Sequence, residues 1–222
     1  MTHKAGMTAT DAFDVIASEL APLKGASVLD IGCGRAAPLR GPLEAAGALW
    51  RGLDPAGGPE DQRIDKTPAE AMPYADAGFD AAICVNALHH VPVPAMATAL
   101  SEAARVLRPG GRLVVIEPRA AGALSQVLAV IDDETRVRAA AQRAMDTTSA
   151  LEELRAWDYP RSECYGSFGA FCDSLSAVSP DRASAIAEHT GRLRQSFETL
   201  ARHDGAGWHL SQPMSVRVFG RG

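Results

Sequence analysis

Short unbroken apolar runs alternate with helically spaced apolar stripes through the first half of this chain. Phe13, Ile16, Ala17 and Leu20 share one face of a predicted helix. A first strand follows at about 27–31, a helix then runs to about Gly47, and a second strand covers about 49–53. A polar, glycine- and proline-rich passage from Pro55 to Asp61 leads to a short strand around Arg63–Asp65. Phe79 to Val85 is nearly continuous in apolar residues, the pattern of a parallel strand covered on both faces. Met96, Ala99, Leu100, Ala103, Val106 and Leu107 mark a helix stopped by Arg108-Pro109-Gly110-Gly111. Leu113-Val114-Val115-Ile116 is the next buried strand, ended by Glu117-Pro118. Such alternation implies a doubly wound α/β sheet.

Beyond Pro118 the rhythm changes. Leu124, Val127, Leu128 and Ile131 open a helical region expected to continue, with breaks, to about Trp157, and Ser149 and Glu152 are spaced for a capping box. Ser179-Pro180-Asp181 reads as a helix start. Ile186, Thr190, Leu193, Phe197 and Leu200 give that helix one buried stripe. Met214 to Phe219 alternates, which predicts a half-exposed antiparallel strand at a sheet edge. The expected organisation is one domain over 1–222: a core at 25–118, a helical insertion or cap at about 120–205, and a closing strand in 206–222.

Composition narrows the partners. With 22 basic and 27 acidic residues the chain carries a net charge of −5, and no basic run marks a nucleic-acid surface. The amino terminus lacks an apolar signal core and no segment reads as a bilayer span, so no membrane partner and a cytoplasmic location are expected. Cys33, Cys84, Cys164 and Cys172 have neither zinc-site nor disulfide spacing, so no metal is expected.

Candidate chemistry centres on Val28-Leu29-Asp30-Ile31-Gly32-Cys33-Gly34: a strand, an aspartate near its end, then two close glycines. Glycine lets backbone turn tightly and leaves no side chain between it and a ligand. Asp54 closes the next strand 20 residues after Gly34, the length of one helix plus one strand, where a carboxylate suits a ribose diol. Separately these features fit a tight turn and a solvated aspartate; together they favour a nucleotide-like cofactor.

These residues resemble the class I S-adenosylmethionine-dependent methyltransferases of the small-molecule type. Residues 28–34 look like the family's first motif, and Ala69-Glu70-Ala71-Met72-Pro73-Tyr74 with Gly78-Phe79-Asp80 resembles its adenine-side loop leading into the fourth strand. Val85-Asn86-Ala87-Leu88-His89-His90-Val91 is similar to the turn after that strand, and Leu107 to Val115 to the turn before the fifth. The resemblance implies a Rossmann-like, mostly parallel seven-stranded sheet with an antiparallel C-terminal edge strand. It implies S-adenosylmethionine as cofactor and a small-molecule methyl acceptor. Asp30 would face the cofactor's amino group through its local network, and Gly32, Cys33 and Gly34 would line its methionine part. Asp54 would accept from the ribose, Ala69 and Glu70 would border the adenine, and Asn86 would lie near the sulfonium. Ala36 stands where a third glycine is frequent, and Pro68 where many relatives carry an aspartate for the adenine amino group. Adenine recognition is therefore expected from backbone or from Asp65, which reads equally as a solvated strand end.

No catalytic residue is assigned. His89 and His90 sit at the ligand-binding edge but read as loop supports, and Glu117 is expected to pair with Arg119. Trp157, Tyr159, Tyr165 and Phe168 read mainly as core. The alternative function is a fold that binds S-adenosylmethionine as a sensor or scaffold without catalysis. A lesser one is an NAD-dependent oxidoreductase, which the missing third glycine and the later motifs count against.

Overall fold

The computed structural model describes residues 9–57, 61–177 and 180–222. Its elements are α1 (Ala9–Leu20), β1 (Ser27–Ile31), α2 (Arg40–Ala45), β2 (Leu49–Leu53), β3 (Ile64–Asp65), β4 (Phe79–Val85), α3 (Met96–Val106) and β5 (Leu107–Pro118). Then come α4 (Ala123–Leu128), α5 (Thr135–Thr147), β6 (Glu152–Tyr159), β7 (Ser162–Tyr165), α6 (Phe168–Ser176), α7 (Pro180–Leu200), β8 (Arg202–Asp204), β9 (Gly207–Ser211) and β10 (Met214–Gly220). Internal packing divides the described chain into two units. One holds residues 9–117, 140–157 and 215–222, the other 118–139 and 158–214.

The first unit is built on a seven-stranded sheet in the order β3-β2-β1-β4-β5-β10-β6. β1 lies parallel between β2 and β4, with Leu29 beside Arg51 on one side and Ala82 on the other. β5 continues parallel to β4, and residues 108–111 are skipped in the register, which passes from Phe79↔Leu107 to Ala81↔Arg112. β10 runs antiparallel to β5: Arg221 N–H donates to Gly111 O at 2.9 Å near the start of β5, and Arg119 N–H donates to Pro213 O at 2.9 Å beyond its end. This is the expected Rossmann-like, mostly parallel sheet with an antiparallel C-terminal strand, but β10 is mostly buried and lies between β5 and β6 rather than half-exposed at the edge. Leu29, Val115, Leu107, Leu100 and Phe219 share its core with Ala141 and Met145 of α5.

Two local expectations need correction. After the glycines the chain turns through residues 34–39 and is helical only over Arg40–Ala45. Pro38 disfavours helical backbone at Ala37, which takes a φ of +39°. Residues 152–159 form a strand, not the end of a helical region, so Glu152 starts β6 rather than completing a capping box. β6 takes the outermost place in the sheet, outside β10. Its largely exposed side chains carry no periodic signal, and pairing of its backbone in the sheet decides its conformation.

The second unit is mixed rather than helical. A three-stranded antiparallel sheet, β7-β9-β8, pairs Tyr165 with Trp208 and Arg202 with His209. Tyr165 and Phe168 join Phe171, Phe197, Leu193 and Leu210 in its core, the structural role expected of those two aromatics. The expected start of α7 at Ser179 lies outside the described residues; the helix is seen from Pro180 and breaks regular geometry at His189. Arg119 pairs with Asp158 at 2.7 Å, not with Glu117.

Candidate cofactor and active site

The end of β1 and the end of β2 are tied together around the glycines. Gly32 and Cys33 donate their N–H groups to Leu53 O at 2.7 and 3.2 Å. Gly32 and Gly34 both have positive φ, +71° and +67°. At Gly32 the requirement is also steric, because a Cβ there would lie 2.3 Å from the Ala87 methyl. Gly34 N–H donates to Asp54 Oδ2 and Ala56 N–H to Asp54 Oδ1, each at 2.8 Å. Asp54 thus fastens the glycine turn to the end of β2, while each of its oxygens keeps acceptor capacity.

Asp30 lies beneath this turn, 2% exposed, and accepts a hydrogen bond from Trp50 Nε1 at 3.2 Å. Burial pushes its carboxyl up to about 7, the Trp50 bond opposes the shift, and the charge of Asp54 adds to it. Cys33 is buried too, its thiol pushed up to about 12 by burial and by the charges of Asp30 and Asp54. Such a thiol is inert at neutral pH.

A cavity of about 630 Å³ opens beside the turn. Gly32, Gly34, Asp54, Ala69, Glu70 and Asn86 all line it; Asp30 and Cys33 do not, and stand behind the wall as supports. Apolar side chains, among them Leu53, Leu88, Leu100 and Leu113, make up much of the remaining surface. Asp65 is neither on the wall nor a solvated strand end. It binds Arg51 through two 2.7 Å bonds and accepts from the Tyr74 hydroxyl at 2.7 Å, and the Arg51 guanidinium holds its carboxyl below the ordinary range.

The turn after β4 is fixed from β5. Asn86 takes a φ of +53° and donates its N–H to Ile116 O at 2.8 Å. Glu117, fully buried, accepts from Ala87 N–H and Leu88 N–H at 2.9 and 2.8 Å through Oε1, and its Oε2 meets His89 Nδ1 at 2.5 Å. His89 and His90 share a 3₁₀ turn and their rings lie 4.1 Å apart, centre to centre: His89 is buried on Glu117, and His90 lines the cavity. Sequence reasoning missed this use of Glu117; the available signal was a carboxylate closing a fully apolar strand.

Residues 29–115 match the family described as methyltransferase domain. Over that stretch the chain is similar to a methyltransferase domain. Methyltransferase GfsG of Streptomyces halstedii is 31% identical over 121 residues, 48% of this chain and 43% of that protein. The 27-O-demethylrifamycin SV methyltransferase of Amycolatopsis mediterranei is 35% identical over 116 residues, 46% and 42% of the two chains. A ubiquinone biosynthesis O-methyltransferase of Paracidovorax citrulli is 33% identical over 106 residues, 41% and 43%. The matched stretch therefore spans less than half of each of these relatives. Among solved structures, a protein of Bacillus halodurans C-125 shares the fold at 17% identity with a TM-score of 0.64, over 95% of this chain and 99% of that one. Geranyl diphosphate C-methyltransferase of Streptomyces coelicolor, solved with S-adenosyl-L-homocysteine, shares it at 14% identity with a TM-score of 0.53, over 96% and 79%. The methyltransferase domain, as matched, covers the strands and turns that form the cavity. Among the described residues no helix is long and apolar enough to cross a membrane.

Proposed function

We propose that this chain transfers the methyl group of S-adenosylmethionine to an oxygen atom of a small-molecule acceptor. The observation that carries the reading is the cavity itself, where a methyltransferase domain brings Gly32, Gly34, Asp54, Ala69, Glu70 and Asn86 onto one wall. The residues fit the cofactor. At Gly34, on the cavity lining, a Cβ would enter open space, Asp54 keeps acceptor capacity for a diol, and the buried Thr67 hydroxyl has no partner among the described residues. Bound there, S-adenosylmethionine supplies an electrophilic methyl on a sulfonium.

The protein's share of the work is alignment and exclusion of water. Asp54 holds the ribose and the Gly34 backbone in one arrangement. Asn86, at the tip of β4, fixes one side of the reacting end, and Glu117 keeps the 86–90 turn from shifting. The apolar walls exclude solvent. His90, Val91 and Pro92 line the cavity beyond that turn and receive the acceptor. The O-methyltransferase name of the Paracidovorax citrulli relative supports oxygen as the acceptor atom. The four free cysteines suit a reducing compartment, and we place the protein in the cytoplasm.

The test is parallel calorimetric titration with S-adenosylmethionine, S-adenosylhomocysteine and NAD, followed by product analysis with hydroxylated acceptors. Saturable binding of the first two and methylated product are expected. Binding of NAD alone overturns the reading, and binding of the first two without product from any acceptor favours a sensor.

A further inference from the structure

The β7-β9-β8 sheet of the second unit carries a thiol, an imidazole and a carboxylate in a row that the cofactor reading does not use. In register, Cys164 of β7 stands opposite His209 of β9, and His209 stands opposite Arg202 of β8. Opposed residues share a face, and alternation along β8 puts Asp204 on that face too. The other face sends Tyr165 and Leu210 into the aromatic core. His209 Nε2 lies 3.0 Å from Asp204 Oδ1 and 3.7 Å from Cys164 Sγ. Arg202 closes the group, donating to Asp204 Oδ2 at 3.1 Å.

These contacts fix where the ring proton lies. The Ala206 N–H and the His209 ring hold the Asp204 carboxyl below its ordinary range, so it is ionised and only accepts. Nε2 therefore carries hydrogen, and the same N–H faces the Cys164 sulfur. A thiolate accepts from such an N–H, whereas a protonated nitrogen has no lone pair to receive a thiol hydrogen. Cys164 is half-buried on an edge strand, and its sulfur fills the space that a side chain at Gly207 would need. The other three cysteines differ: burial pushes the thiols of Cys33, Cys84 and Cys172 up and keeps them protonated.

We propose that Cys164 is a modification site, whose thiolate, held by the His209 N–H, exchanges with small disulfides. The thiol gives its proton to water, and its sulfur attacks one sulfur of R–S–S–R. A bond forms between Cys164 Sγ and that sulfur, the original S–S bond breaks, and RS⁻ leaves with the electron pair and takes a proton from water. One disulfide replaces another, so no further oxidant is consumed. Besides Cys164, the charged or titratable groups that the three strands place on this face are Arg202, Asp204 and His209. The site does not depend on the cofactor reading.

The experiment treats the native full chain with dithiobis(nitrobenzoate), follows the released thiolate by absorbance and locates the first mixed disulfide by peptide mass. At pH 7 the first equivalent is expected on Cys164, at least about threefold faster than on Cys172. Cys164→Ser removes that phase. His209→Phe keeps a planar ring without the N–H and slows Cys164 about 3- to 10-fold at pH 7, but less than about twofold at pH 10, where ordinary thiols ionise unaided. His209→Gln returns an N–H donor and restores most of the rate. Equal slowing at both pH values would mean that the ring only controls access, and would overturn the proposal, as would an unchanged rate. Labelling of wild type that starts at another cysteine, or that needs denaturant, overturns it without any variant.

Discussion

The two units solve the same problem, burying apolar surface, in different ways. In the first, the core is made by strands that are apolar along their length, such as Val28-Leu29 and Leu113 to Ile116, all buried. In the second, the core is an aromatic cluster assembled from separate elements. Phe197 of α7 sits 5.0 Å from Phe171 and 5.5 Å from both Phe168 and Trp208, ring centre to ring centre. A sheet of apolar strands leaves its polar chemistry at the strand ends, where glycine turns and carboxylates converge on a cavity. An aromatic cluster makes a stable core but gathers no such row of backbone groups. The difference explains why the cavity and its polar groups lie in the first unit.

The contrast can be broken from either side. Phe197→Ala is expected to cost the most, about 3–5 kcal/mol, because a fully buried ring touching several others is replaced by a void. Urea unfolding would measure it; a loss below about 1 kcal/mol would mean the cluster is loosely packed.

In the first unit the expected signature is a pH effect from Asp30. Its folded carboxyl sits at about 7 against an ordinary 3.8, so between these values the folded state holds a proton that the unfolded state has released. Stability therefore falls as pH rises from about 4 to about 7, by up to roughly 4 kcal/mol, and is flat above. Asp30→Asn keeps an acceptor for Trp50 and should flatten that slope. Thermal unfolding at pH 5 and pH 8 checks it, and equal slopes in variant and wild type would remove Asp30 from the account.

Glycines sharpen the comparison. Gly32→Ala should destabilise by about 2–4 kcal/mol, adding positive-φ strain to a clash with Ala87. Asp54→Ala should weaken S-adenosylhomocysteine binding by about 1–3 kcal/mol, with calorimetry as the readout, since it removes a charged acceptor and the tie to Gly34. Gly191→Ala in α7, where a Cβ meets open space, should instead stabilise by about 0.5–1 kcal/mol in the same unfolding assay.

The legibility of the sequence followed the same division. β1 and β4 were readable because each is mostly a short apolar run whose meaning does not depend on a distant partner. The glycine turn and Asp54 were readable because their spacing is that of one local strand-helix-strand unit, and the structure joins them through a 2.8 Å bond. β6 was unreadable, because EELRAWDY has neither helical nor strand periodicity in its exposure and takes its form from its place in the sheet. β7 and β9 were unreadable for a related reason: Ser162 pairs with Ser211, and no local pattern announces a partner that far along the chain.

The site shows the same limit at the scale of single side chains. Sequence alone determined which residue types stand near the glycine turn: two glycines able to adopt positive φ, a carboxylate at the end of each of the first two strands, and an asparagine after the fourth. Tertiary structure decided what each carboxylate does. Asp54 reaches the cavity, Asp30 is buried behind it, Asp65 is absorbed by Arg51 and Tyr74, and Glu117 holds the turn that carries His89 and His90. The physical reason is that a carboxylate's role depends on its solvent exposure and on the donors that reach it, and both are set by chain segments remote in sequence.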